Sequence, residues 1–121
     1  FYPTILEMAG LPLQPKLHTD GKSLVPLLKN ETDHVHDTAF FHYPHRSNQK
    51  GSPGSAIREG KYKLILSLKD NRIELYDLES DIGEQKNLSD ELPEVRDRLL
   101  QQLKTWWREV DARFPKDYTE E

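Results

Sequence analysis

The stretch Lys61-Tyr62-Lys63-Leu64-Ile65-Leu66-Ser67-Leu68 holds the clearest alternation in the chain. Successive side chains of a strand point to opposite faces, so Tyr62, Leu64, Leu66 and Leu68 share one side and Lys61, Lys63 and Ser67 the other. Ile65 interrupts the polar side. Glu59-Gly60 before this strand and Lys69-Asp70-Asn71 after it are turn sequences. Residues 55–58 and 72–78 therefore read as its antiparallel neighbours. Upstream, the aromatic-rich run 38–43 reads as a further strand ended by Pro44, and residues 45–55, with Gly51, Pro53 and Gly54, as a loop.

On the C-terminal side, Leu92, Val95, Leu99, Leu103, Trp106 and Val110 recur at spacings of three and four. That spacing lays one apolar stripe along a helix of about five to six turns. Ser89 or Asp90 is placed to cap it, with Pro93 in its first turn and Pro115 beyond its end. On this reading Trp106 is core, whereas Trp107 lies off the stripe, free to cover a sheet edge or a neighbouring domain. On the N-terminal side, residues 1–10 read as a short helix with Pro3 in the first turn and Gly10 as its stop. A helical turn at 24–28 follows, capped by Ser23 and with Leu24, Leu27 and Leu28 on one face. The fold class expected is α+β: a small antiparallel sheet of about four strands packed against a long C-terminal helix, with a short helical N-terminal segment.

The 121 residues suffice for one modest core. Apolar residues make up 35% and charged residues 31%, where about 45–50% (counting Gly) and about 25% are usual. Mean hydropathy is −0.83. So polar a chain either has a thin core or turns part of its apolar surface toward something outside these residues. A net charge of −4 argues against a nucleic-acid binder, and no apolar run reaches the ~18 residues of a membrane span. With no cysteine, the chain builds neither a disulfide nor a thiolate site. It begins at Phe1 without a leader pattern, as an excised or processed piece would.

His34, His36, His42 and His45 lie close together in sequence, with His18 further off. A zinc site needs three or four such groups converging, and nothing in the pattern brings the two pairs together. The segment His42-Tyr43-Pro44-His45-Arg46 is more informative. Two imidazoles and a guanidinium at a strand end, beside a glycine-containing loop, suit an anionic or polyol ligand. Asp20 is a further candidate, although its position suits capping or bonding the turn at Gly21 better. The abundant carboxylates fall on exposed faces. The sequence holds no Gly-x-Ser-x-Gly elbow and no phosphate-cradling glycine pattern.

Several segments, in order, resemble the C-terminal end of the sulfatase family in the alkaline-phosphatase-like superfamily. They are Phe1-Tyr2-Pro3-Thr4-Ile5-Leu6-Glu7-Met8-Ala9-Gly10, Asp20-Gly21-Lys22-Ser23-Leu24, His42-Tyr43-Pro44-His45 and Ala56-Ile57-Arg58-Glu59-Gly60-Lys61-Tyr62-Lys63-Leu64-Ile65. Glu74-Leu75-Tyr76-Asp77-Leu78 follows, then Asp81, Glu84 and Asn87-Leu88, with Ile82 where proline is common. The likeness spans about residues 1 to 113 and implies the tail of the catalytic α/β domain at 1–30, the C-terminal subdomain at 38–114 and a frayed tail at 115–121. It implies a parent enzyme that hydrolyses sulfate esters, with calcium and a formylglycine made within a Cys/Ser-x-Pro-x-Arg motif. This chain has no such motif, so no catalytic or metal residue is carried over. The implied partners are the N-terminal catalytic domain and a sulfated carbohydrate, the latter met by a pocket wall of His42, His45 and Arg46. A periplasmic or secreted location goes with the family. The competing readings are a free-standing module that binds sulfated glycans or a protein, and a histidine metal-binding domain.

Overall fold

In the computed structural model, which describes residues 1–18, 20–32, 34–45 and 51–119, the alternating stretch is the third strand of a four-stranded antiparallel sheet. The elements run α1 (Tyr2–Met8), α2 (Val25–Leu28), β1 (Thr38–Tyr43), β2 (Gly54–Glu59), β3 (Tyr62–Ser67), β4 (Ile73–Asp77) and α3 (Pro93–Glu109). Each strand pairs with its sequence neighbours, in the order β1-β2-β3-β4. Gly60 and Asn71, at φ of +54° and +55°, take the left-handed conformations that close the turns after β2 and before β4. The expected α+β class and the strand assignments hold, with ends shifted by a residue or so.

Register assigns the two faces. Phe40, Ile57, Leu64 and Leu75 line up across the sheet, as do His42, Ser55, Leu66 and Ile73. These rows face α3, which crosses β2 and β3. The opposite face carries the rows Phe41, Ala56, Ile65, Glu74 and Ala39, Arg58, Lys63, Tyr76. Ile65, which interrupts the polar side of its strand, thus lies in an apolar row of its own.

Leu99, Leu103 and Trp107 enter the core with Ile57, Leu64, Leu66, Leu68 and Leu75. The helix face differs from expectation at its end. Trp107 is only 4% exposed, while Trp106 stacks on Phe40 at the flank, 4.9 Å between ring centroids. The buried line follows spacings of four, 99-103-107. The chain after α3 then folds back, so that Phe114 and Tyr118 lie edge-on to Trp107. Residue 118, expected in a frayed tail, is therefore packed. The cap differs too. The N-cap residue is Leu92, with no side-chain bond, in place of the expected Ser89 or Asp90; the Ser89 N–H donates to Asn87 Oδ1 and its carbonyl accepts the Arg96 guanidinium.

The chain divides into two compact units, 1–37 and 38–121. In the first, Pro3 opens α1 and Gly10 stops it at φ +67°. Thr4 Oγ1 accepts the Leu24 N–H at 3.0 Å. Ser23 Oγ accepts the Val25 N–H at 3.1 Å, and Val25, not the leucines around it, is the buried member of α2.

Candidate functional site

Residues 44–53 join β1 to β2 and include the His45-Arg46 pair; Arg46 lies outside the described residues. Strand parity separates the two histidines of this segment. His42 occupies an inward position of β1, directly across from Ser55. Its Nδ1 is 2.6 Å from Ser55 Oγ and its Nε2 is 2.7 Å from the Arg113 carbonyl oxygen. A carbonyl only accepts, so Nε2 donates to it and Nδ1 accepts the Ser55 hydroxyl. Ser55 Oγ in turn accepts the indole N–H of Trp107 at 3.2 Å. Trp107 and Phe114 meet the imidazole edge-on. Both nitrogens of His42 are thus engaged within the protein, and they fasten the root of the loop to α3 and to the segment behind it.

His45 is different. It stands exposed beyond the strand end, its ring 5.6 Å from that of Tyr43 and nearly perpendicular to it. The returning stem of the loop is held by buried Pro53, whose carbonyl accepts the Leu68 N–H at 3.0 Å. An exposed imidazole just past a strand end is a usual arrangement for a binding residue on a sheet scaffold.

His18 and His34 serve locally. His18 donates from Nδ1 to the Gly21 carbonyl and accepts the Gln14 N–H at Nε2, both at 3.1 Å. His34 Nε2 meets Asp37 at 2.8 Å. Asp20 is exposed beside Gly21. Among the described residues, no three His, Asp or Glu side chains gather as a metal site. The described residues therefore offer no donor set for the calcium that the resemblance implies for the longer enzyme. Several carboxylates are tied to neighbouring elements. Glu59 accepts Gln102 Nε2 at 2.9 Å and the Arg98 guanidinium. The Gln102 amide and then Arg98 hold its carboxyl below the ordinary value, against an opposing effect of desolvation. Asp77 receives Lys61 at 2.7 Å, which lowers its pKa in the same sense.

The face of the sheet away from α3 forms a cleft of about 470 Å³ among Phe41, Tyr43, Ala56, Ile65, Leu78 and Ile82. Phe41 is 61% exposed, Tyr43 48% and Ile82 83%. Lys63, paired with Glu84 at 2.5 Å, also lines the cleft, as does Arg58. Sequence reasoning passed over this face and over the roles of Ser55 and Trp107. The available signal was parity: Phe41 and Tyr43 alternate with Phe40 and His42, and Ile65 sits among the polar positions of β3.

An antiparallel meander backed by one helix, with a histidine-bearing loop at its end, defines a small α+β unit. Residues 1–110 match the family described as N-sulphoglucosamine sulphohydrolase, C-terminal, and the chain belongs to that family. It is 37% identical to a sulfatase of Formosa agariphila, over 77% of this chain and 18% of that protein. It is 35% identical to arylsulfatase K of Rattus norvegicus, over 86% of this chain and 19% of that one. Among solved structures, BT4656 in complex with its substrate D-glucosamine-2-N,6-O-disulfate matches at a TM-score of 0.71 and 27% identity, over 97% of this chain and 25% of that chain. The chain spans about a fifth of the length of the curated relatives it matches.

Proposed function

We propose that this chain is the C-terminal portion of a sulfatase acting on sulfate esters of carbohydrates, and that it supplies one wall of the substrate pocket and no catalytic residue. The observation that carries this reading is the family match over residues 1–110 in a chain that amounts to about a fifth of its sulfatase relatives. The carbohydrate class is supported by the solved neighbour bound to a disulfated glucosamine. Within the wall, His45 and Arg46 offer an imidazole donor and a planar guanidinium fork suited to sulfate oxygens. His42 serves the wall by orienting the stem of the loop. Calcium and formylglycine, which supply the charge and the nucleophile for sulfate-ester cleavage, belong on this reading to the N-terminal portion.

The test is kinetic. In the complete gene product, His45→Ala and Arg46→Ala each lower kcat/KM on a sulfated saccharide by about tenfold, or ~1.4 kcal/mol, mainly through KM. An unchanged kcat/KM removes the wall. The 121-residue chain alone turns over no aryl sulfate even with calcium, and turnover above a buffer blank overturns its non-catalytic role. Tight binding of a sulfated glycan by the chain alone would replace the wall with a free-standing binding module.

A further inference from the structure

We infer that the chain beyond α3, residues 111–119, is a strap that sets where His45 stands, with Phe114 and Tyr118 as positioning residues acting through His42; this rests on the proposed function above and deepens it. At Asp111 a φ of +50° turns the chain back, and the Ala112 N–H donates to the Trp107 carbonyl at 2.9 Å. The Arg113 carbonyl then accepts Nε2 of His42 at 2.7 Å. Phe114 sets its ring 5.3 Å from the imidazole and at 72° to it, and Tyr118 stacks on Phe114 at 5.0 Å. Past them, the Thr119 carbonyl accepts the Asn71 side-chain amide at 3.0 Å.

The segment is thus tied at the end of β1 and again at the turn between β3 and β4. Both ties lie at one end of the sheet, where Tyr43, Gly54 and Ser67 line up across three strands. That is the end at which His45 stands.

β1 is an edge strand, paired in the sheet on one side only. The last residues of such a strand open readily unless their side chains are anchored. Of the two bonds made by His42, the one to Ser55 lies within the sheet and the one to Arg113 is the strap's. Only Tyr43 and Pro44 separate His42 from His45, and a proline ring fixes its own φ near about −65°. So short and stiff a link passes the placement of His42 on to His45. The family match ends at residue 110, so the strap lies outside the stretch that match covers.

The test is a double-mutant cycle in the complete gene product, read on a sulfated saccharide. Phe114→Ala removes the ring against His42, Tyr118→Ala removes the ring behind it, and Lys116→Ala is a control at an exposed position of the same segment. The expected result is that Phe114→Ala raises KM about fivefold with kcat within twofold, and that it raises KM less than twofold once His45→Ala is present. Tyr118→Ala carries the same expectation and keeps the test valid if Phe114→Ala does not fold. An unchanged KM in the soluble variants overturns the strap. So does a fall in kcat with KM unchanged, which a general loss of structure would give. Full additivity with His45→Ala overturns it as well, because the strap then acts by another route. An equal rise in KM in Lys116→Ala overturns it in favour of direct contact between this segment and the saccharide. His45→Ala with an unchanged kcat/KM overturns the wall beneath the inference, a result that stands apart from those four.

Discussion

Trp107 fills the core with its ring and satisfies a buried hydroxyl with its N–H, and the two roles can be separated by substitution. Trp107→Phe keeps most of the apolar ring and leaves Ser55 bonded to His42 alone, at a cost of about 1 kcal/mol. His42→Ala removes the acceptor for Ser55, the donor to the Arg113 carbonyl and a ring packed on Phe114, at a cost of about 2–3 kcal/mol. The urea midpoint of the 121-residue chain should fall in that order, and a His42→Ala midpoint equal to that of the unsubstituted chain would show that the network carries no stability. At this scale the sequence was half legible. Local spacing grouped His42 with His45 as ligand candidates, whereas strand parity sends the first inward with Phe40 and Pro44 releases the second beyond the strand. The partner at Arg113, 71 residues away, has no local signature.

Strand β2 is bracketed by α3 at both ends, through Ser55 and Trp107 at one and through Glu59 with Arg98 and Gln102 at the other. The second bracket is ionic and so depends on pH. The Glu59 and Asp77 carboxyls lie below their ordinary values of 4.5 and 3.8, so the folded chain binds their protons less tightly than the unfolded chain does. Their stabilisation is complete above about pH 5 and is lost as pH falls through the ordinary values and then the lowered folded ones. The urea midpoint should therefore drop between pH 5 and pH 3, with a shallower drop in Glu59→Gln; a flat profile would contradict the assignment. The elements themselves were read well because a period of two and a period near 3.6 are hard to confuse over six or more residues. The rotation of the last turn of α3 was not. Positions three and four apart both lie near one face, so Trp106 and Trp107 compete, and the returning residues 112–118 decide between them by covering Trp107.

At the scale of the whole molecule, among the described residues, the buried core cluster and the partly buried apolar side chains packed on it lie between Phe40 and Tyr118. A chain starting at Thr38 should keep its far-ultraviolet circular dichroism per residue and a single cooperative urea transition; loss of that transition would mean the core needs the first 37 residues. The low apolar content of the sequence left open a thin core or apolar surface turned outward, and composition carries no direction. Only the register of the sheet assigns that surface to Phe41 and Ile65. The order of pairing also has a consequence for biosynthesis. Each strand needs only its predecessor, so the meander can close hairpin by hairpin as it leaves the ribosome, with the short sequence separations that favour fast folding. Leu99, Leu103 and Trp107 are translated after all four strands, and the bond from His42 to Arg113 closes later still. Until then Ile57, Leu64 and Leu75 have no helix over them, and the nascent sheet is apolar on both faces at once, which makes the interval before residue 118 emerges the point at which a chaperone would have most to hold.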